Sequence, residues 1–250
     1  MTRKACNAPI GDLVIIAGGD EAGRGAVIGP LVVSIVTIQK GREGKLSRIG
    51  VRDSKLLTRK KRDYLYDEIC SLAEDVKVYK ISEEEINRAM AAGMSLNELE
   101  ALHFARLIDQ TSVAPERIYL DSPDVVSERF GIRVSLFSKR KLRVNGVKHE
   151  KTLGADTNEK VIRVISEHKA DIIYPVVSCA SIISKVTRDN ELDGLRDRLG
   201  MDIGSGYPSD KVTIDAIRAN LHNKTFGQYM RERWKTLKNI RQSKIDDFFN

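Results

Sequence analysis

One stretch near the N-terminus, residues 13–30, restricts the possible folds of this chain more than any other. The apolar run at 13–17 leads directly into Gly-Gly-Asp-Glu-Ala-Gly-Arg-Gly at 18–25, which predicts a buried strand that opens into a tight turn. Two acids, Asp20 and Glu21, therefore stand at a strand end. Because successive strand residues point to opposite faces, both acids can face one point only where glycines break the pleat. Such a pair at the end of a core strand indicates a metal site.

Two nucleotide-binding motifs share the glycine spacing of this stretch, and each lacks a required part. A P-loop needs a lysine followed by serine or threonine, where this chain has Arg24 and Gly25. A dinucleotide-binding fingerprint opens a helix, whereas Pro30 and the apolar run at 31–38 predict a second strand. We therefore expect neither motif here.

The charge balance indicates a polyanionic partner. Lys and Arg number 42 against 35 Asp and Glu, a net charge of +7 over 250 residues, and such an excess attracts nucleic acid at a distance. The three cysteines form no C-x-x-C pair, so neither a disulfide framework nor a zinc site is indicated. Because no apolar run is long enough for a membrane span or an export signal, we expect a cytoplasmic protein without membrane contact.

A third acid follows a second predicted strand. The short run at 117–120 ends on Asp121, and in open α/β sheets reactive side chains gather at strand ends, so Asp121 can join Asp20 and Glu21. The alternative is an ordinary cap, since Asp121 precedes Ser-Pro.

Capping and periodicity place the remaining elements. Thr58 and the pairs Ser82/Glu85 and Ser95/Glu98 predict helix starts, and further helices are expected at 124–130, from Ser178, from Asp210 and at 231–240. Alternating apolar residues predict a strand at 132–136, and a further strand is expected at 76–81. The apolar positions at 161–165 fit a strand or a helix, and we expect a strand there. The basic segment 139–151, with Asn-Gly at its centre, predicts an exposed hairpin. His103 is expected at the surface or at the core edge rather than as a metal ligand.

Several of these segments together resemble one family. The sequence D-E-A-G-R-G before a hydrophobic strand is similar to the signature of ribonuclease HII, the type 2 ribonuclease H family. Asp-Ser-Lys at 53–55, Ile-Tyr-Leu-Asp-Ser at 118–122 and the block at 168–189 resemble its other motifs. The resemblance spans most of residues 12–240. It implies an α/β, ribonuclease H-like fold with a central mixed sheet flanked by helices and a C-terminal helical appendage.

The resemblance also implies roles for individual residues. The acids that match the family's catalytic and metal-binding carboxylates are Asp20, Glu21, Asp121 and Asp171. The residues that match its substrate-binding positions are Gly23, Arg24, Gly25, Ser54, Lys55, Ser181, Lys185 and Tyr207. Four carboxylates from separate segments, without a Ser-His-Asp or Cys-His arrangement, favour two-metal hydrolysis over covalent catalysis. Hard Mg²⁺ or Mn²⁺ suits such oxygen ligands.

By resemblance, the substrate is the RNA strand of an RNA/DNA hybrid, cut to leave 3′-hydroxyl and 5′-phosphate ends. A reader of the 2′-hydroxyl is then needed, and a single ribonucleotide embedded in duplex DNA would suffice. Two alternatives stay open: a ribonuclease HIII-like nuclease, which usually has lysine in place of Arg24, and a non-catalytic hybrid-binding protein. We expect a monomer with a catalytic core at 12–177, a helical region for substrate binding at 178–240 and a flexible tail at 241–250.

The tail carries a second motif. Gln242, Ile245, Phe248 and Phe249 match the Q-x-x-I-x-x-F-F pattern by which replication proteins bind the sliding clamp. One turn of helix would bring the three apolar side chains to one side, as an aromatic hot spot for an apolar pocket. The alternative is that both phenylalanines fold back on their own domain. We predict that the tail binds a sliding clamp.

Overall fold

The computed structural model describes residues 14–51, 54, 57–147 and 160–249, with side chains as far as Gln242. Its strands are β1 (Ile15–Ala22), β2 (Leu31–Gln39), β3 (Asp75–Ile81), β4 (Arg117–Asp121), β5 (Leu142–Val144) and β6 (Ile162–Glu167). Its helices are α1 (Glu43–Ile49), α2 (Arg59–Leu72), α3 (Glu83–Ala91), α4 (Leu96–Asp109), α5 (Ser127–Phe137), α6 (Ala170–Ile173), α7 (Pro175–Leu199), α8 (Lys211–Ala219), α9 (Lys224–Gly227) and α10 (Lys235–Phe249).

The six strands form one mixed sheet in the order β3-β2-β1-β4-β6-β5. Strand β1 pairs antiparallel with β2 and parallel with β4, so it lies between the antiparallel and parallel halves. The carboxyl ends of β1 and β4 therefore meet at the same edge of the sheet. This architecture confirms the predicted mixed sheet with flanking helices.

Apolar side chains cover both faces of the sheet. On one face, Phe104 of α4 and Phe130 of α5 pack edge to face, with ring centroids 5.7 Å apart, among buried residues of β2, β4 and β6. On the other face, α7 packs along β1 and β2, with α1 and α2 beside it. Strand β2 is buried through its first eight residues, which explains its continuous apolar sequence.

Gly18 allows α7 to approach the sheet closely. A Cβ at this position would overlap the backbone of Val176 and lie 2.5 Å from the Val177 nitrogen. Because backbone cannot give way as a flexible side chain can, we predict that Gly18→Ala lowers the free energy of unfolding by about 3 kcal/mol. Urea unfolding followed by circular dichroism measures this loss.

The matched control is Gly44→Ala on α1, where an added Cβ meets nothing within 4 Å. The same chemical change should there be neutral or stabilise the protein by up to about 1 kcal/mol, since alanine favours helix. Equal unfolding midpoints for the two variants would contradict the close approach of α7 to β1.

A third apolar cluster joins the C-terminal helices to the second half of α7. Leu192 and Leu195 of α7 pack with Ile217, Phe226 and residues of α10. The predicted C-terminal helical region is present. Helix α7 begins at Pro175 rather than at the predicted Ser178, so the predicted boundary between core and appendage, 177/178, falls within one continuous helix.

One strand prediction failed in the middle of the chain. The segment 132–136 belongs to α5, where Phe130 and Val134 are buried one turn apart while Leu136 is 60% exposed. In the basic segment, the first arm of the predicted hairpin forms β5, which pairs in parallel with β6, and the hairpin itself stays a prediction. Residues 148–151 of that segment lie outside the described residues.

The two predicted capping boxes also differ. The Ser95–Glu98 box is complete, whereas Ser82 caps the Glu85 amide without a return bond. The Glu85 carboxylate instead contacts the buried ring of His103, 3.0 Å away. No helix among the described residues combines the length and apolar character of a membrane span.

Candidate active site

Three acids meet where β1 and β4 end. The pairing of β4 with β1 stops at Gly19 and Leu120, so Asp20 and Glu21 follow the last pair on one strand and Asp121 follows it on the other. Ligand oxygens of these three acids all lie within 4.8 Å of one another. The pairing of β1 with β2 nevertheless runs unbroken through Ala22, so the predicted break in the pleat is absent on that side.

Burial and mutual repulsion disfavour the charged forms of these acids. Burial raises the pKa of Asp20 well above its usual value, and the neighbouring charges of Glu21 and Asp121 raise it further. Burial and Asp121 likewise raise the pKa of Glu21, against the opposing effect of Arg24. A cation bound between these carboxylates would offset their mutual repulsion and favour their charged forms.

The donor set fits a hard divalent cation. All three side chains offer carboxylate oxygens, which Mg²⁺ and Mn²⁺ prefer. Oε2 of Glu21 is buried and accepts no hydrogen bond from any residue that the structure describes. A buried carboxylate oxygen without a donor is costly, and a bound cation would satisfy it.

Main-chain and hydroxyl groups hold the acids in place. The Ala170 amide at the start of α6 donates to Oδ1 of Asp121 over 2.7 Å. On α7, the Ser184 hydroxyl donates to the backbone carbonyl of Asp20, 3.0 Å away, and a hydrogen bond from Ser181 lowers the pKa of the Asp20 carboxyl. Helices α6 and α7 thus orient acids that belong to two different strands.

The fourth predicted carboxylate lies beside the cluster but outside it. Asp171 is buried and follows Ala170, the residue that bonds Asp121. Its side chain is not among the three whose oxygens lie within 4.8 Å of one another. The structure therefore brings together Asp20, Glu21 and Asp121.

The predicted substrate-binding serines meet beside Asp20. The hydroxyls of Ser54 and Ser181 are 2.9 Å apart, although 127 residues separate them in sequence. One turn further along α7, the Lys185 ammonium bonds Asp189, which also accepts from Arg62 over 2.9 Å. Lys55 lies outside the described residues.

The predicted glycine loop faces the predicted tyrosine. Gly23 has φ 89°, a backbone conformation that glycine adopts without strain. Gly25 is exposed, and a Cβ built on it would lie 3.8 Å from the Tyr207 ring. The surface between the Gly23–Gly25 loop and Tyr207 is here called the slot; Gly25 lies at this surface, whereas Gly23 is buried behind it.

Arg24 turns inward. Its guanidinium pairs with Glu100 and bonds Asn97, both on α4. Glu100 is fully buried, and burial together with the charge of Glu21 raises its pKa well above the usual value. Arg24 thus links the glycine loop to a buried acid that neighbours the cluster.

Residues 17–237 match the family model described as Ribonuclease HII. The chain belongs to the ribonuclease HII family. Ribonuclease HII of Pyrococcus furiosus is 40% identical over 230 residues, which cover 91% of this chain and 92% of that protein.

Solved structures of ribonuclease HII agree. The crystal structure of ribonuclease H2 from Pyrococcus horikoshii matches with a TM-score of 0.73 at 36% identity, over 92% of this chain and 98% of that one. The structure of a PCNA:RNase HII complex from Archaeoglobus fulgidus matches with a TM-score of 0.73 at 37% identity, over 93% and 99%. The protein is thus a metal-dependent endoribonuclease that hydrolyses the RNA strand of RNA/DNA hybrids, as its sequence predicts.

Three charged residues of this ribonuclease HII escaped the sequence analysis. Glu100, Arg188 and Arg231 are all fully buried. Glu100 stands within the apolar pattern of α4, and a charge at such a position is the one available signal. The two arginines lie in segments rich in charge, so nothing local distinguishes them from solvated residues.

Proposed function

We propose that this ribonuclease HII works by two-metal-ion catalysis, with Asp20, Glu21, Asp121 and Asp171 as the metal ligands. The observation that carries this proposal is the meeting of the first three carboxylates within 4.8 Å. Two bound Mg²⁺ or Mn²⁺ ions would activate water and neutralise charge at the leaving oxygen. The products are a 3′-hydroxyl and a 5′-phosphate.

Hydrogen bonds within the protein hold the acidic side chains in position before substrate binds. The Ala170 amide and the α7 hydroxyls fix the acids before substrate arrives, so little reorganisation remains for the reaction itself. Asp171 follows Ala170, whose amide bonds Asp121. In the proposed mechanism, Asp171 completes the set of metal ligands when substrate and ions are bound.

We propose that the slot between the Gly23–Gly25 loop and Tyr207 reads the ribose. Exposed backbone at Gly25 can contact the 2′-hydroxyl, which distinguishes RNA from DNA, while the Tyr207 ring packs against the sugar. Ser54, Lys55, Ser181 and Lys185 bind the neighbouring phosphates, with Arg24 holding the loop. A single ribonucleotide embedded in duplex DNA is then a substrate.

A duplex that carries one ribonucleotide tests this function. Purified protein with Mg²⁺ should cut it once, with a 3′-hydroxyl on one product, and should leave the all-DNA duplex of the same sequence intact. Cleavage of full RNA/DNA hybrid without cleavage of this substrate would refute the ribose slot. Cleavage undiminished by excess chelator would refute the metal site.

The basic segment 139–151 supplies a further prediction. If Lys148 and Lys151 bind phosphates, replacing both by Gln should reduce the slope of log affinity against log salt by about 0.9 for each phosphate that is no longer neutralised. Fluorescence anisotropy with labelled hybrid measures this slope. Arg140 is unsuitable for the test, because it bonds Thr111 within the fold, and an unchanged slope would mean that the segment is merely solvated.

We also propose that the C-terminal tail binds a sliding clamp. The Archaeoglobus fulgidus relative was solved as a complex with PCNA, and the backbone of α10 is helical through Phe249. Helical spacing would bring Ile245, Phe248 and Phe249 to one side, next to Gln242; the side chains of these three apolar residues lie outside those described. We further propose that the protein is a cytoplasmic monomer. Its catalytic core is 12–177, its substrate-binding helical region is 178–240, and its clamp-binding tail is 241–250.

A further inference from the structure

Arg188 lies fully buried between the two loops that border the proposed ribose slot. From α7, its Nη2 donates to the backbone carbonyl of Ser205 over 3.1 Å and reaches that of Ile28 at 3.5 Å. Its guanidinium lies over the Tyr207 ring, 4.8 Å from the centroid. One side chain thus contacts both the segment after the glycine loop and the loop that carries Tyr207.

Glycines make room for this guanidinium. A Cβ at Gly23 would overlap its Nε, and a Cβ at Gly206 would lie 2.9 Å from its Nη2. Gly29 approaches the same nitrogen, with a built Cβ at 4.0 Å. The absence of a side chain at Gly23 therefore leaves the space that the Arg188 guanidinium occupies, in addition to any role in substrate binding.

The burial of Arg188 is costly for the fold. Nε and Nη1 find no hydrogen-bond acceptor among the residues that the structure describes, and no carboxylate is paired with the guanidinium in that part of the chain. Burial lowers its pKa. A buried charge without a paired acid is rare, and an apolar side chain of similar size would fill the same space at lower cost.

We propose that Arg188 is a positioning residue that sets the distance between the Gly23–Gly25 backbone and the Tyr207 ring, and thereby the selection of ribose at the cleavage site. This inference rests on the proposed function of that slot. The guanidinium lies over the Tyr207 ring and bonds Ser205 in the same loop, while its Nη2 also reaches the Ile28 carbonyl of the other segment. Lysine keeps the charge but can do neither in the same geometry.

The test compares Arg188→Lys with Leu195→Ala, a truncation in the third apolar cluster two turns further along α7, which leaves Arg188 and its bonds to the two loops in place. For each variant, kcat and KM are measured on the single-ribonucleotide duplex, and affinities for that duplex and for all-DNA duplex are measured in chelator. All assays are run below the melting temperature of the least stable variant.

Arg188→Lys should lower kcat by about a hundredfold, the loss typical of a misplacement near 1 Å. KM should change little, since the phosphate contacts remain. The affinity preference for ribose should fall with kcat, whereas Leu195→Ala should lose stability and keep both. A second variant, Gly206→Ala, places a Cβ 2.5 Å from the Ile28 carbonyl oxygen and 2.9 Å from Nη2. It therefore disturbs the same junction of loops from the other side without removing the arginine, and it should also lose the preference.

If Arg188→Lys folds and keeps the ribose preference, the inference is wrong. If Arg188→Lys does not fold, a ribose preference retained by Gly206→Ala would overturn the inference instead. A wild-type protein that itself shows no ribose preference would instead refute the proposed slot, so the two failures are distinguishable.

Discussion

Asp20→Asn, Glu21→Gln and Asp121→Asn will each lower cleavage of an RNA/DNA hybrid by about a hundredfold or more, as expected when one group that stabilises charge in a transition state is removed. Each change removes one negative charge and leaves the shape of the side chain nearly unchanged. Hybrid affinity should survive, because binding depends on basic and backbone groups elsewhere. Single-turnover cleavage and anisotropy measure the two properties separately.

The matched control is Asp109→Asn. This acid accepts hydrogen bonds from Ser138 and from the Lys139 amide and lies outside the cluster. It should keep full activity. Calorimetric titration with Mn²⁺ adds a readout independent of turnover, since the three cluster variants should bind the ion more weakly and the control should not.

Asp171→Asn decides the place of the fourth acid. A fall in cleavage and in Mn²⁺ affinity like that of the cluster variants would assign it to the metal site. Near-normal activity would remove it from the ligand set and leave it a buried residue next to Ala170, whose amide bonds Asp121.

Deleting residues 242–250 will abolish binding to a sliding clamp while cleavage of a short free duplex stays intact. The hot-spot side chains of the motif lie in this segment, and a few aromatic residues carry most of the binding energy in such interfaces. Surface plasmon resonance against purified clamp measures the loss. The cleavage assay without clamp shows whether the core is unharmed.

Point variants separate docking from folding. Phe248→Ala with Phe249→Ala should reproduce the loss of clamp binding, whereas the neighbouring pair Lys244→Ala with Asp246→Ala should retain it. Should the truncated protein bind the clamp as well as the full chain does, the docking proposal fails. A large fall in melting temperature on truncation would instead favour phenylalanines that pack on their own domain.

The sequence predicted what local pattern determines. Strand β2 formed where the apolar run at 31–38 predicted it, whereas β1 continues beyond the apolar run at 13–17, through Gly18 and the two acids, to Ala22. The alternation at 132–136 was ambiguous, because residues two apart can also fall on a helix whose buried side chains recur every four, as Phe130 and Val134 do. The choice depended on packing against β5 and β6, which no short window contains.

Some residues of the site could likewise be predicted from the sequence, and others could not. Asp20, Glu21 and Asp121 could be grouped because strand ends gather at one sheet edge. The partnership of Arg24 with Glu100 spans 76 residues, and the bonds from Arg231 to the Gly29 carbonyl span 202. Such pairs become visible only once the chain has folded, because no local pattern tells which distant residue will be the partner.

Helix α7 packs against both the sheet and the C-terminal helices, and this affects how the protein unfolds. Its first turns hold Asp20 through Ser181 and Ser184, its middle carries Arg188, and its last turns anchor the C-terminal helices. A helix shared in this way transmits loss of packing at either end to the other, so the sheet and the C-terminal helices should melt in one cooperative transition. The amide protons of α7 that are hydrogen-bonded within the helix would then exchange only through global unfolding, all with the same free energy of opening.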